Sequence, residues 1–207
     1  AFNLNLPVAI GHEGAGTIVE VGPGVTRLRV GDRVALESHL ICGQCFPCWT
    51  GDAHTCERTR IIGMHIDGVF AEYMAAPQDI CVKLPDNASL EVGSLLEAAG
   101  VAVHAIQRAG YAVAGRAVLV SGGGPVGLVV AYLAQLMGAT HVIVVEPNPY
   151  RRAQAQKIGA LAMPPGDEVV ERCRELAGRR GGFDVAFECS GAPAALPSLF
   201  EALHRES

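Results

Sequence analysis

The sequence predicts an α/β chain in two parts, a β-rich first half and a second half built on a parallel, doubly wound sheet. Three observations predict it. Residues 1–85 hold short runs of β-branched and apolar residues punctuated by Gly-Pro-Gly and Gly-Asp turns. From about Ser89 onward, helical and strand patterns alternate, an order that requires parallel strands with right-handed crossovers. Between the early strands lies a polar, loop-like segment that holds four of the seven cysteines.

The strand candidates of the first half are TIVEVG (Thr17–Gly22), DRVAL (Asp32–Leu36), VFAEYMAA (Val69–Ala76) and ICVKLP (Ile80–Pro85). SLEVGSLLEAAGVAVHAIQRAG follows with a helical composition and is expected to break at Gly100. Then come a strand at Arg116–Ser121, an apolar helix at Gly127–Met137 and a strand at His141–Glu146. A helix over YRRAQAQKIGA, the short apolar run ALAM, a helix over DEVVERCRELAG and a strand at Phe183–Ser190 complete the alternation. No internal repeat or low-complexity tract interrupts it.

The totals exclude several classes. The chain has 207 residues, 50% hydrophobic and 18% charged, with a formal net charge of -5. That supports a real core, and the absence of a basic stripe gives no reason to expect nucleic acid. The longest apolar stretches, such as PVGLVVAYLAQLMGA, break before the ~20 residues of a membrane span. No secretory leader is expected from the opening AFNLNLPVAIGHE. An odd number of cysteines, four clustered and three scattered in apolar sequence, suggests a reducing compartment and a metal; the cytoplasm is the default.

Cys42, Cys45, Cys48 and Cys56 are spaced C-x2-C-x2-C-x7-C. Four thiolates on short arcs suit the tetrahedral coordination of a closed, structural zinc site; a pair of disulfides or a redox C-x-x-C is the competing reading. In VLVSGGGPVG, Gly122, Gly124 and Gly127 fall in G-x-G-x-x-G register between an apolar strand and an apolar helix. In that setting the glycines allow a tight turn, approach of the backbone to a pyrophosphate and close helix–strand packing, while the helix N-terminus faces the phosphates. Glu146 ends the next strand, 19 residues after Gly127, where a carboxylate takes the ribose hydroxyls and repels a 2'-phosphate, favouring NAD over NADP. Arg151 serves either cofactor, and a glycine-rich turn without a ligand is the bland reading. By themselves His12 and Glu13 read first as a surface turn, Glu97 as a helix-end charge facing water, and His104 as its neighbour two turns on or a core residue.

GHEGAGTIVEVGPGVTRLRVGDRVAL, the four-cysteine lobe, FAEY and GGGPVG together resemble the zinc-dependent medium-chain alcohol dehydrogenases. ESHLICGQC, TRIIGMHIDGVFAEY and EAAGVAVHAI are most similar to the L-threonine 3-dehydrogenases, with sorbitol-type polyol dehydrogenases next. The resemblance implies a partial GroES-like β-barrel catalytic domain over 1–100, with a structural-zinc lobe at 39–60, and the first half of an NAD-binding Rossmann domain over 101–207. It implies His12 as a ligand of a catalytic zinc, Glu13 beside or on the metal, and Glu97 as a third ligand or a carboxylate in the proton path. Cys42, Cys45, Cys48 and Cys56 then carry the structural zinc, Val126, Glu146 and Arg151 contact the nicotinamide cofactor, and His39 lies near the substrate.

The implied activity is oxidation of a threonine-like secondary alcohol by NAD, or of a polyol or cyclitol, in a dimer or tetramer. Relatives carry a segment before GHE with a further ligand cysteine and a proton relay, and continue beyond LFEALHRES. The chain therefore reads as truncated at both ends, which keeps a non-catalytic zinc- and nucleotide-binding fragment in view.

Overall fold

The computed structural model describes residues 6–204 and divides into two compact units, Ala1–Glu97 and Ala98–Ser207. In the first unit, β1 (Ala15–Thr17), β2 (Arg33–Leu36) and β5 (Cys81–Lys83) form an antiparallel sheet in the order β1-β2-β5. β2 is central because Val34, Ala35 and Leu36 are all buried and Gly31, at φ 92°, supplies the left-handed turn that starts it. Asp32 fastens the entry, accepting from the Arg29 backbone N–H at 3.0 Å and from Lys83 Nζ on β5 at 2.6 Å. β3 (His39–Leu40) and β4 (Arg60–Ile61) make a second, two-stranded sheet. Leu36, Ile62 and Ile80 form the buried centre beneath these strands.

Two expected strands are shorter or absent. The run at 17–22 leaves the ladder after Thr17, and only Ile18 continues to pair, with Gly31 and Asp32. At 69–76, Val69 and Phe70 donate to Gly11 and Ile10 carbonyls, and no strand follows. Both runs line one cleft of about 990 Å³, with no strand between them to pair with. A β pattern needs a neighbour at hydrogen-bonding distance, and sequence alone does not supply one.

The cysteine segment is also more ordered than a loop: α1 (Phe46–Thr50) lies inside it, closed by Gly51 at φ 91°. α2 (Leu90–Ser94) is capped by Ser89 Oγ, which accepts from the Val92 N–H at 3.2 Å. The expected break at Gly100 does not occur. α3 (Leu96–Arg108) runs through it, and the interruption is one residue, Leu95. Ala98, Ala102 and Ile106, four apart, bury one stripe of α3, which offsets the ~1 kcal/mol that a mid-helix glycine costs.

The second unit holds a four-stranded parallel sheet in the order β8-β7-β6-β9. Its strands are β6 (Ala117–Ser121), β7 (His141–Val145), β8 (Leu161–Met163) and β9 (Val185–Glu188). Side chains alternate across it: Val118, Val120, Val142 and Val144 enter one core, while Ala117, Leu119 and Ile143 enter the other. The first core is closed by residues of α3, α4 (Pro125–Leu136) and α5 (Pro149–Lys157), the second by α6 (Asp167–Ala177) and α7 (Leu196–Ala202). Burial on both faces explains why β6 and β7 read as unbroken apolar runs. β7 follows β6 on one side and β9 lies on the other, so the strand order reverses at β6. That reversal opens a crevice beyond its C-terminal end.

Candidate functional site

At that crevice Gly122, Gly124 and Gly127 differ in what they permit. Gly122 has φ 98°, and a side chain there would come within 2.9 Å of the Cys189 backbone. A Cβ on Gly127 would lie 2.0 Å from the Gly122 carbonyl oxygen, so α4 can start against the turn only with glycine at this position. Gly124 has ordinary geometry, φ -76°, and nothing within 4 Å of where its side chain would be. Two of the glycines are therefore steric necessities of the turn, and the third leaves open space at the first turn of α4. No side chain caps α4, whose N1 residue is Pro125. Val126 is half-buried against the core in the same turn.

Glu146 is 3% exposed, just after β7. Its Oε2 accepts from the Gly123 N–H at 2.7 Å and its Oε1 from the Asn148 N–H at 2.8 Å. The carboxylate thus ties the glycine turn to β7, and Arg151 stands 3.9 Å from Oε2. Asn148 caps α5 through its side-chain oxygen, and Arg152 donates to the Glu146 and Pro147 carbonyls at 2.8 and 2.7 Å. Neither was singled out by spacing, although an Asn-Pro pair before a helical run is a cap signal. Across the turn, the Ser190 hydroxyl and backbone N–H hold the Glu188 carboxyl below its usual range.

In the first unit the four clustered cysteines converge. Their sulfurs lie within 4.8 Å of one another, with Cys45–Cys48 at 3.4 Å, Cys45–Cys56 at 3.8 Å and Cys42–Cys48 at 4.0 Å. All seven cysteines are free, so the disulfide reading does not hold among the described residues. Four thiolates about 2.3 Å from a zinc ion stand about 3.8 Å apart, so the cage has the right size for that ion. Its chemistry fits too, because backbone N–H groups point at sulfur: Cys42 to Cys56 at 3.3 Å, Gln44 to Cys42 at 3.4 Å and Arg58 to Cys56 at 3.4 Å. The Gln44 N–H pulls the Cys42 thiol down to about 6, whereas burial pushes Cys48 up to about 11. Burial likewise raises Cys173 to about 12 and Cys189 to about 11, which leaves both inert.

His12, Glu13 and Glu97 form the second group able to hold a metal, each presenting one ligand atom within 4.8 Å of the others. Their loop is held by close backbone approach: Gly63 and Gly68 both abut the Gly11 carbonyl, where a Cβ would come to 2.3 and 2.0 Å. Glu97, in the first turn of α3, accepts from Ser38 Oγ at 2.9 Å. Ser38 is 1% exposed, and its Oγ is also 3.0 Å from His39 Nδ1, which stands 2.8 Å from Glu37 Oε1. His39, placed by β3, thus joins the metal-capable group through a serine. Ser38 and Glu37 were missed because the link to Glu97 spans 59 residues and carries no spacing signal. His104 is exposed on α3 and belongs to neither group.

The geometry has parallels in known proteins. Residues 1–86 match the model of the alcohol dehydrogenase GroES-like domain, and residues 125–206 match that of the zinc-binding dehydrogenases. The chain belongs to the zinc-dependent medium-chain alcohol dehydrogenases. Within this family it is 43% identical over 199 residues to the L-threonine 3-dehydrogenase of Pyrococcus furiosus, covering 95% of this chain and 56% of that one. Among solved structures, a Sinorhizobium meliloti protein assigned as a zinc-binding dehydrogenase, bound to NADP, superposes with a TM-score of 0.88 at 32% identity, covering 98% of this chain and 60% of that one. The 2R,3R-butanediol dehydrogenase of Bacillus subtilis gives 0.83 at 36% identity, covering 96% and 56%. This member of the family spans only 56–59% of the length of the curated relatives it matches. No helix among its described residues is long and apolar enough to cross a membrane.

Proposed function

We propose that this chain belongs to an oxidoreductase that moves a hydride from a threonine-like secondary alcohol to NAD, with one structural and one catalytic zinc. The observation that carries the proposal is the convergence of the adjacent pair His12 and Glu13 with Glu97, 84 residues on in the sequence, on one metal-sized spot. We assign residues 1–100 to a GroES-like catalytic domain, with the structural-zinc lobe at 39–60, and 101–207 to the first half of a Rossmann domain. Cys42, Cys45, Cys48 and Cys56 would hold the structural zinc as a closed thiolate cage, and His12 with the two glutamates would hold the other.

A zinc ion at the second set supplies Lewis acidity toward an alcohol oxygen, and a nicotinamide supplies the hydride acceptor. The chain's own residues do the rest. Gly122 and Gly127 allow the tight turn, and the open space at Gly124 would let a pyrophosphate approach the start of α4, with Val126 in the same turn. Glu146, with Arg151 alongside, would take the ribose hydroxyls through lone pairs not used by the Gly123 and Asn148 N–H groups, and its charge would favour NAD over NADP. Glu97 and His39 stand at the two ends of a hydrogen-bonded path along which a hydroxyl proton can leave.

The names of the similar proteins divide between an amino alcohol and a vicinal diol, so a diol or polyol is the second reading. Seven free cysteines favour a reducing compartment such as the cytoplasm, and a homodimer or tetramer is the assembly we propose. The test is metal content together with NAD reduction over L-threonine, 2,3-butanediol, sorbitol and inositol. Two zincs per chain, falling to one in His12→Ala, and turnover of L-threonine are expected. One zinc in both proteins would instead support a non-catalytic zinc- and nucleotide-binding fragment, and no NAD reduction with any alcohol would remove the oxidoreductase assignment.

A further inference from the structure

We propose that Glu37 and Ser38 are positioning residues that hold His39 in a single tautomer, with the proton on Nδ1 and a bare lone pair on Nε2. For a neutral ring the hydrogen-bond partners leave no other arrangement. Ser38 has one hydroxyl proton, and its Oγ lies 2.9 Å from Glu97 Oε1 and 3.0 Å from His39 Nδ1. A carboxylate oxygen only accepts, so the serine proton goes to Glu97 and Ser38 must accept from His39. On its other side, Nδ1 stands 2.8 Å from Glu37 Oε1, again an acceptor, which also takes the His39 backbone N–H at 3.1 Å. Nδ1 therefore faces two acceptors and no donor.

The arrangement is held by the fold and does not depend on side-chain chance. Ser38 is 1% exposed, its carbonyl accepts from the Ile62 N–H at 3.1 Å, and His39 pairs with Ile61 across β3 and β4. The His39 side chain keeps 34% of its surface exposed, and Nε2 makes no hydrogen bond to any described residue. The neutral ring thus offers solvent a pure acceptor, its tautomer fixed by the acceptors at its far nitrogen. Resting on the proposed alcohol chemistry, this polarity means that the substrate group meeting His39 is a donor. A hydroxyl or an ammonium fits, and a carboxylate or phosphate oxygen does not.

Nitrogen-15 NMR of the His39 ring in alkaline solution tests the proposal on this chain. The unaltered chain should show one protonated nitrogen, Nδ1. Glu37→Ala and Ser38→Ala should each keep it, since the other acceptor remains, and Ser38→Thr should match the unaltered chain. The double variant should lose it and show the exchanging mixture of a free imidazole. A proton on Nε2 in the unaltered chain, or an unchanged Nδ1 proton in the double variant, overturns the proposal. Loss in Glu37→Ala alone removes Ser38 from it. The readout needs no turnover, so an Nδ1 proton in a protein that oxidises no alcohol would leave this inference standing while the proposed function fell. In an active enzyme, the double variant should lower kcat, since it also removes the hydroxyl that links His39 to Glu97.

Discussion

Alanine in place of Gly127 and alanine in place of Gly100 are the same chemical change inside two helices, and the structure predicts opposite signs. At Gly100, on the exposed side of α3, nothing lies within 4 Å of the new methyl, so only helix propensity acts. That gain is about 0.5–1 kcal/mol. At Gly127 the methyl would stand 2.0 Å from the Gly122 carbonyl oxygen. An ordinary C···O contact is about 3.3 Å, so the turn or the helix must retreat by more than about 1 Å. Gly122 cannot yield freely, because its N–H donates to the Val145 carbonyl at 2.8 Å and the Cys189 backbone would lie 2.9 Å from a Cβ built on it. Overpacking against backbone belongs at the upper end of the 1–3 kcal/mol range, and the helical gain of ~1 kcal/mol offsets part of it. The net loss is about 2 kcal/mol, a fall in Tm of roughly 4–8 °C at this size. Thermal and urea unfolding followed by circular dichroism measures both variants. A Gly127→Ala protein as stable as the unaltered chain, or more stable, would show that the turn does not constrain α4. Gly124→Ala completes the set: it should cost only about 0.5 kcal/mol, as an N-cap change. It should nonetheless weaken NADH binding by fluorescence titration, since it fills the open space we propose for the pyrophosphate.

In the metal-free chain, Cys42 should be the first thiol alkylated. Its reactivity should rise with pH about a midpoint near 6, with Cys48 reacting only in strongly alkaline solution, as peptide mass spectrometry can follow. Metal loading should protect all four cage cysteines together, and protection of only two would refute the cage. Asp32 supplies a pH test. The Lys83 ammonium, hydrogen-bonded to its carboxyl, holds it below the usual value, and the Arg29 N–H adds to this. Because the folded value lies below the unfolded one near 3.9, the stabilisation is present above that pH and lost as pH falls through the folded value. Asp32→Asn should therefore lower the urea midpoint at pH 7, and the gap should close below about pH 4. A gap independent of pH would mean that the carboxylate charge contributes nothing.

The second unit was legible because its two central strands, β6 and β7, are buried on both faces and its helices on one. Val118-Leu119-Val120 and Val142-Ile143-Val144 read as strands in any context, and the glycine turn follows directly from the first. The cysteine cage was legible for a related reason: its ligands lie within one short segment, so spacing carries the geometry. The barrel strands were less so. Thr17–Gly22 and Val69–Ala76 have β composition but border a cleft, and pairing is decided by what lies alongside. The break expected at Gly100 moved to Leu95 because the Ala98–Ala102–Ile106 stripe holds α3 together through the glycine.

By itself the sequence determined the α/β alternation, the glycine turn and the four-cysteine knot, all features whose geometry is local in the chain. Only the tertiary structure decided which distant residues meet. It brought Glu97 to His12 and Glu13, put Ser38 between Glu97 and His39, and buried Glu146 against the glycine turn instead of leaving it open to water. Hydrogen bonds and metal coordination act over about 3 Å, and a separation of 59 residues leaves no periodic trace of such an encounter.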